Sequence, residues 1–147
     1  MILKNDQNRE EIDDMEKWHE VFIGKIPKDH YQMQLINGEK QGLIIELSSN
    51  NHTCVVIKFG IVQAVRMLDE GIVQSDLYSD SEIKRYKEDG FSNVIYEVRQ
   101  GEFAKQFNQV SGGYGEVLNL KHYVVITQNY NVDIVTEGEP TVEVLQK

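Results

Sequence analysis

Between Asn8 and Phe22, apolar side chains recur at spacings of three and four residues. This period places them on one stripe of an α-helix, with acidic side chains on the opposite face. Pro27 would end the element, because proline cannot continue a helix. The pattern therefore predicts an amphipathic N-terminal helix that packs on the rest of the protein. Its apolar stripe consists of Ile12, Met15, Trp18, His19 and Phe22.

Two later segments also have the features of short helices. Three apolar side chains at helical spacing predict a helix over 101–110, and a glycine-rich segment at 111–115 ends it. Ser79 or Asp80 is suited to cap a brief helix that ends near Lys87.

Most of the remaining chain alternates apolar and polar residues, which is typical of β-strands with one buried face. The clearest example is the hairpin at 122–140, where two alternating runs flank the polar block 128–131. Asn37-Gly38 is a second turn signal. Segment 54–59 is almost continuously apolar, which predicts a central strand buried on both faces. The predicted strands lie at 31–35, 43–47, 54–59, 61–68, 94–98, 123–127, 132–135 and 142–145.

The order of these elements predicts a single α+β domain that covers residues 1–147. It consists of an N-terminal helix region at 1–26 and a sheet-rich body at 30–147. We expect about six to eight strands in a mainly antiparallel sheet, with the N-terminal helix and one or two further short helices packed on it. Strands 54–59 and 61–68 are joined too closely for a helix, so we expect them to pair as an antiparallel meander.

The chain has a net charge of −9, from 24 acidic and 15 basic side chains. This balance argues against nucleic-acid binding, since counterion release requires clustered Lys and Arg. The negative charge is typical of a soluble protein, and it also fits a surface that attracts a basic protein partner. No apolar run reaches the ~18 residues of a membrane helix. With one cysteine, Cys54, and no recognisable export signal, the sequence predicts a cytoplasmic protein that does not bind membranes.

No sequence pattern identifies a catalytic, cofactor or metal site. The four histidines lack the spacing of helical metal ligands, and one cysteine cannot build a cysteine-rich zinc site. Cys54 lies in the most apolar segment, where burial would leave its thiol inert. Gly112-Gly113 follows a predicted helix and lacks the Lys-Ser/Thr of a phosphate-binding loop. We therefore predict no catalytic residue, no cofactor and no metal.

One acidic segment is the strongest candidate for a partner-binding surface. Five of its carboxylates lie within fourteen residues and could pair with Lys or Arg of a basic partner. A tyrosine among them, and another in the glycine-rich segment, would add apolar contact area. A solvated acidic loop is the simpler alternative. The predicted partner-binding residues are Asp69, Glu70, Asp76, Tyr78, Asp80, Glu82 and Tyr114.

Strand and turn segments between residues 53 and 145 also carry a family resemblance. They resemble segments of small uncharacterised bacterial proteins that are similar to the immunity proteins of polymorphic toxin systems. The resemblance implies neutralisation of a toxin through an acidic surface, and it implies no catalytic residues. The segments are Val55–Phe59, Ala64–Gly71, Tyr96–Val98 with Phe103 and Phe107, His122–Thr127, Val132–Val135 and Glu139–Pro140.

Three functions fit these observations. The first is a non-enzymatic protein-binding module with a basic protein partner, and the resemblance makes an immunity-like protein the example of this class. The second is a small enzyme or ligand-binding protein that has a pocket between helix and sheet, with His122 or His30 near carboxylates. The third is a self-associating structural protein whose exposed strand edges form a homodimer.

Overall fold

The computed structural model describes residues 16–69, 81–91, 93–113 and 118–146. These ranges contain two α-helices, α1 (Ser81–Glu88) and α2 (Glu102–Val110), and nine β-strands. The strands are β1 (Lys17–Glu20), β2 (Tyr31–Gly38), β3 (Gly42–Ser49), β4 (Thr53–Gly60), β5 (Ala64–Asp69), β6 (Ile95–Arg99), β7 (Lys121–Ile126), β8 (Tyr130–Thr136) and β9 (Thr141–Gln146).

The strands form two antiparallel sheets that pack face to face. The larger sheet has the order β1-β6-β7-β8-β5, and the smaller has the order β2-β3-β4-β9. Inward-facing side chains from both sheets build one apolar core, as in a β-sandwich. Phe59 of β4 and Tyr123 of β7 contact each other across this core, with ring centroids 6.0 Å apart.

The larger sheet is also buried on its outer face. Trp18 of β1 is 1% exposed, and its ring centroid lies 5.4 Å from that of Tyr96 on β6. The Tyr86 ring of α1 lies 4.9 Å from that of Tyr96, and its hydroxyl donates a hydrogen bond to the Trp18 carbonyl. Burial raises the pKa of the Tyr96 hydroxyl far above its usual value, and the nearby charge of Glu20 adds to this shift. Helix α2 lies over the same face, where Phe103 contacts His122 of β7.

The predicted N-terminal helix is wrong where the structure describes it. Residues Lys17–Glu20 form β1, in which Trp18 pairs with Val98. Trp18 is buried by strand pairing and by the aromatic side chains around it, so its spacing from other apolar residues did not reflect a helical stripe. Phe22 has a φ of 56°, which is incompatible with a continuing helix. Residues 8–15 lie outside the described ranges.

The predicted fold class is therefore wrong. The described chain is mostly antiparallel strand in two sheets, rather than an α+β fold with one main sheet and an N-terminal helix. The helix predicted at 101–110 is present as α2, and the predicted hairpin is confirmed by the pairing of β7 with β8.

Two further predictions about the strands are also wrong. In β4 burial alternates, with Val55 and Ile57 buried and Lys58 exposed, so this strand is not buried on both faces. Its neighbour in sequence, β5, does not pair with it but joins β8 in the other sheet. Gly60 has a φ of 73°, and the turn that it begins carries the chain from one sheet to the other.

The turn of the β7–β8 hairpin ties the two sheets together. The Asn129 side chain accepts a hydrogen bond from the Met33 N–H at 3.0 Å and donates one to the Met33 carbonyl at 3.2 Å. The Gln128 N–H donates to the Tyr31 carbonyl at 3.0 Å. Edge strand β2 therefore has part of its free backbone satisfied by the other sheet.

Candidate functional site

Three charged or polar side chains form a connected row on the outer face of the larger sheet. Arg66 of β5 and Asp133 of β8 are cross-strand partners, and Asp133 lies diagonally opposite His122 of β7. The Arg66 guanidinium donates to Asp133 Oδ2 through Nη2 at 2.7 Å and Nε at 3.2 Å. Asp133 Oδ1 lies 2.7 Å from His122 Nε2. A buried carboxylate is thus shared between a guanidinium and an imidazole.

The row fixes the tautomer of the His122 ring. An ionised carboxylate can only accept hydrogen bonds, and Asp133 already accepts two from the Arg66 guanidinium. Nε2 must therefore carry the proton and donate it to Asp133. In the neutral ring, Nδ1 is then left with a lone pair, as an acceptor of hydrogen bonds.

Helix α2 covers this row with an aromatic ring and a glycine. Phe103 lies over the Arg66 guanidinium, with 5.1 Å from the guanidinium carbon to the ring centroid, and meets the His122 ring at 6.0 Å. Gly101, immediately before α2, is closer still. A Cβ at this position would lie 2.3 Å from His122 Nδ1 and 2.6 Å from Cε1. Only glycine therefore leaves the Nδ1 edge of the ring uncovered by a side chain.

A pocket of about 480 Å³ opens beside the imidazole. It lies between α2 and the end of the larger sheet, and its volume falls within the ~300–1,000 Å³ of ligand pockets. Residues from both elements line it, including Val98, Gly101, Ala104, Phe107, Asn108 and His122.

Two buried polar atoms on the pocket wall have no hydrogen-bond partner within the described chain. They are Nδ1 of His122, a residue that is 4% exposed, and Oδ1 of Asn108 on α2. An unpaired buried polar group costs about 1–3 kcal/mol, and most such groups in folded proteins are paired. These two atoms are therefore suited to receive hydrogen bonds from a bound molecule.

The pocket is open because the β6–β7 ladder ends there. The last paired residues are Val98 and His122. Beyond them the chain leaves β6 through Gln100, which has a φ of 56°, and enters β7 from Asn119, which has a φ of 53°. Both of these residues line the pocket. The two strands diverge at this point, and α2 lies over the gap.

Lys121, one of three basic residues that line the pocket, has an acidic partner. The Lys121 ammonium lies 2.9 Å from Glu139 Oε1 at the surface. The hydrogen bond raises the pKa of Lys121, and the same hydrogen bond lowers the pKa of Glu139. Because Lys121 and Tyr123 lie on the same face of β7, opposite His122, this pair is separate from the polar row.

The acidic surface predicted from sequence is mostly outside the described residues. Asp69 is exposed at the end of β5, and Glu82 belongs to α1. Asp69 is not among the residues that line the pocket. Glu70, Asp76, Tyr78, Asp80 and Tyr114 lie outside the described ranges.

His122 was one of two histidines considered for a helix–sheet pocket, and it is the one that lines it. His30 is exposed, next to Asp29. Sequence reasoning missed Arg66, Asp133 and Gly101. The available signal was Asp133 itself, which is a charged residue inside the apolar run Val132–Val135.

Within the described ranges, no cluster of three His, Cys, Asp or Glu side chains could hold a metal ion. Cys54 is a half-buried free cysteine on β4, away from the polar row. None of the described helices has the length and apolar character needed to cross a membrane.

Comparisons with protein-family models, with curated proteins and with solved structures give no match to this chain.

Proposed function

We propose that this protein binds a small molecule in the pocket between α2 and the open end of the β6–β7 ladder. The observation that carries the proposal is the buried, unpartnered Nδ1 of His122 on the pocket wall. A histidine with a purely structural role would be expected to have both ring nitrogens satisfied. Here Nε2 is bound by Asp133, and Nδ1 is left without a partner in a residue that lines the pocket.

The support around His122 is that of a preorganised binding group. Asp133 holds the ring through a 2.7 Å contact, and Arg66 holds the carboxylate in turn. Such supporting contacts fix both the orientation and the tautomer of an imidazole before a ligand arrives. A ring held in this way beside a pocket is suited to bind a ligand, and this is the function that the geometry supports best.

An immunity-like module with a basic protein partner is the second candidate. It is supported by the net charge of −9 and by the resemblance noted above. Capture of a basic protein at low salt, in a complex unaffected by substitutions in the pocket, would favour it over the first candidate. Self-association through strand edges is a further alternative, and a monomer at all concentrations in sizing experiments would contradict it.

We also propose a cytoplasmic location for this activity. The chain has one cysteine, which cannot form an intramolecular disulfide, and Cys54 is free in the structure.

Nuclear magnetic resonance with a fragment library tests the pocket directly. Uniformly ¹⁵N-labelled protein is titrated with uncharged single-ring fragments at millimolar concentration. We expect a subset to shift the amides of 98–101, 104–108 and 119–122 together. The Gly101→Ala variant should lose these shifts, because the new methyl group occupies the space beside Nδ1.

Gly138→Ala is the matched control. Gly138 has open space around it and no left-handed φ, so alanine fits there. This variant should bind fragments as the wild type does. A complete lack of pocket shifts in the wild-type protein would contradict the proposal.

A further inference from the structure

We infer that the ligand is an uncharged small molecule that presents hydrogen-bond donors, hydroxyl or amino groups, on an apolar framework. This inference rests on the proposed function, since it assigns a ligand class to the same pocket.

The donor requirement comes from the two unpartnered atoms on the wall. In the neutral ring, His122 Nδ1 has a lone pair, because Nε2 carries the proton that is donated to Asp133. The Asn108 side-chain oxygen is also an acceptor. A ligand with O–H or N–H groups satisfies both atoms, whereas a ligand with only acceptor atoms would leave them unpaired beside its own lone pairs.

The apolar framework comes from the apolar side chains among the lining residues. Ala104 and Phe107 of α2 line the pocket on one side, Val98 and Val135 line it from the sheet, and Leu120 lines it from the segment just before β7. Pockets for small molecules typically combine such an apolar lining with a few placed polar groups. An aromatic or aliphatic ring with one or two polar substituents matches this lining.

The absence of ligand charge follows from the positions of the basic residues. Lys105 contacts Glu102 at 3.5 Å, and Lys121 contacts Glu139 at 2.9 Å. Arg99 also lines the pocket, and it lies on the same face of β6 as Glu97, another lining residue. Arg66 is bound to Asp133. The cations close to the pocket are thus accompanied by carboxylates, and an anion would gain little from them.

Gly101 controls access to the acceptor on His122. Its φ of −72° and ψ of 139° are open to any L-residue, so alanine there meets no backbone restriction. The obstacle is steric, because the added Cβ would overlap the Nδ1–Cε1 edge of the ring. Residue 101 therefore determines whether a donor group can reach Nδ1.

Matched pairs of probes test the inference with the full-length protein. The pairs are phenol with anisole, benzyl alcohol with benzyl methyl ether, and aniline with N,N-dimethylaniline. In each pair, methylation removes the donor and keeps the ring. Dissociation constants are measured from the pocket amide shifts in the wild type, in Asn108→Leu, and in the Gly138→Ala control.

We expect the donor-bearing member of each pair to bind at least about tenfold more tightly, as for one hydrogen bond of roughly 1.4 kcal/mol. The preference should shrink in Asn108→Leu and persist in Gly138→Ala. Equal binding of both members at the pocket would overturn the inferred ligand class and leave the proposed binding function intact. If none of these probes shifts the pocket amides, the inferred ligand class is overturned. If no fragment of the whole library shifts them, the proposed function is overturned as well.

Discussion

Replacing Gly101 with alanine tests whether the close approach of α2 to the imidazole is real. The new Cβ would lie 2.3 Å from His122 Nδ1 and 2.8 Å from Val98 Cγ1. Both distances are well below van der Waals contact, so the ring, the helix or both must shift. Overpacking of this kind typically destabilises a protein by about 1–3 kcal/mol.

Two smaller contributions accompany the substitution and oppose each other. Alanine restricts the unfolded chain more than glycine, which stabilises by about 0.4–1 kcal/mol. Alanine is also a poorer residue than glycine at the start of a helix, which costs a similar amount. The steric overlap should therefore dominate, and we expect Gly101→Ala to lower the free energy of unfolding by about 1–3 kcal/mol.

A double-mutant cycle with His122→Ala isolates the overlap. The alanine at 122 removes the ring atoms that the new Cβ meets, so Gly101→Ala should be almost neutral in that background. The expected coupling energy is about 1–3 kcal/mol, and the cost of His122→Ala itself cancels in the cycle.

Urea unfolding followed by tryptophan fluorescence measures all four proteins. Trp18 is the single tryptophan, and it is 1% exposed in the folded state, so its emission reports on unfolding. Gly138→Ala provides the control for a glycine with open space around it. The reasoning is refuted if Gly101→Ala has the same effect with and without the His122 ring, or if it is as mild as Gly138→Ala.

Three other predictions concern the sheets and the surface. Asn129→Ala should lower the free energy of unfolding by about 1–3 kcal/mol, because the backbone of β2 loses both hydrogen bonds to that side chain. Asn51 is exposed, and Asn51→Ala should change the free energy of unfolding by no more than about 0.5 kcal/mol in the same urea assay. Gly42→Ala should cost about 2–5 kcal/mol, since φ is 71° and the new Cβ would lie 2.1 Å from backbone atoms of Gly60. Gly60 has a φ of 73° but open space around it, so Gly60→Ala should lower the free energy of unfolding by only about 1–2 kcal/mol. Equal melting temperatures for Gly42→Ala and Gly60→Ala would contradict this difference. Glu139→Gln should lower stability slightly at neutral pH. Because the folded-state pKa of Glu139 is lowered, its contribution is present above the ordinary carboxyl pKa and should vanish as pH falls through the folded value; a difference in urea midpoint that persists at pH 2 would contradict it.

Alternation along the strands could be predicted from the sequence, and the sheet arrangement could not. The β7–β8 hairpin follows from two alternating runs around a short polar turn, which is a local signal. The pairing of β5 with β8 is not local, because the intervening chain contains β6, β7 and both helices. After Gly60 the chain could either turn back to pair with β4 or cross to the other sheet. The left-handed φ of Gly60, which belongs to the turn that crosses, has no signature in the sequence.

The N-terminal helix was predicted wrongly because one residue can satisfy two patterns. Trp18 fits a helical stripe, and it equally fits a short edge strand whose alternate residues face a helix. Four residues of strand are too few for alternation to be distinguished from helical spacing. Tertiary packing against Tyr96 and Tyr86 decided the outcome.

The candidate site was only partly accessible from the sequence. His122 could be named as a candidate, but its partners come from other strands and depend on the strand order. Arg66 and Asp133 are 67 residues apart in sequence. The role of Gly101 depends on its distance to an imidazole, for which no local sequence signal exists.

The ¹⁵N resonances of the His122 ring test the central claim most directly. The other three histidines, His19, His30 and His52, are exposed, so the buried ring should have a distinct signature. We predict that Nε2 is protonated and Nδ1 is not, and that saturating phenol moves the Nδ1 resonance in the direction of an accepted hydrogen bond. A proton on Nδ1, or an Nδ1 resonance that phenol leaves unchanged while it fills the pocket, would contradict the account.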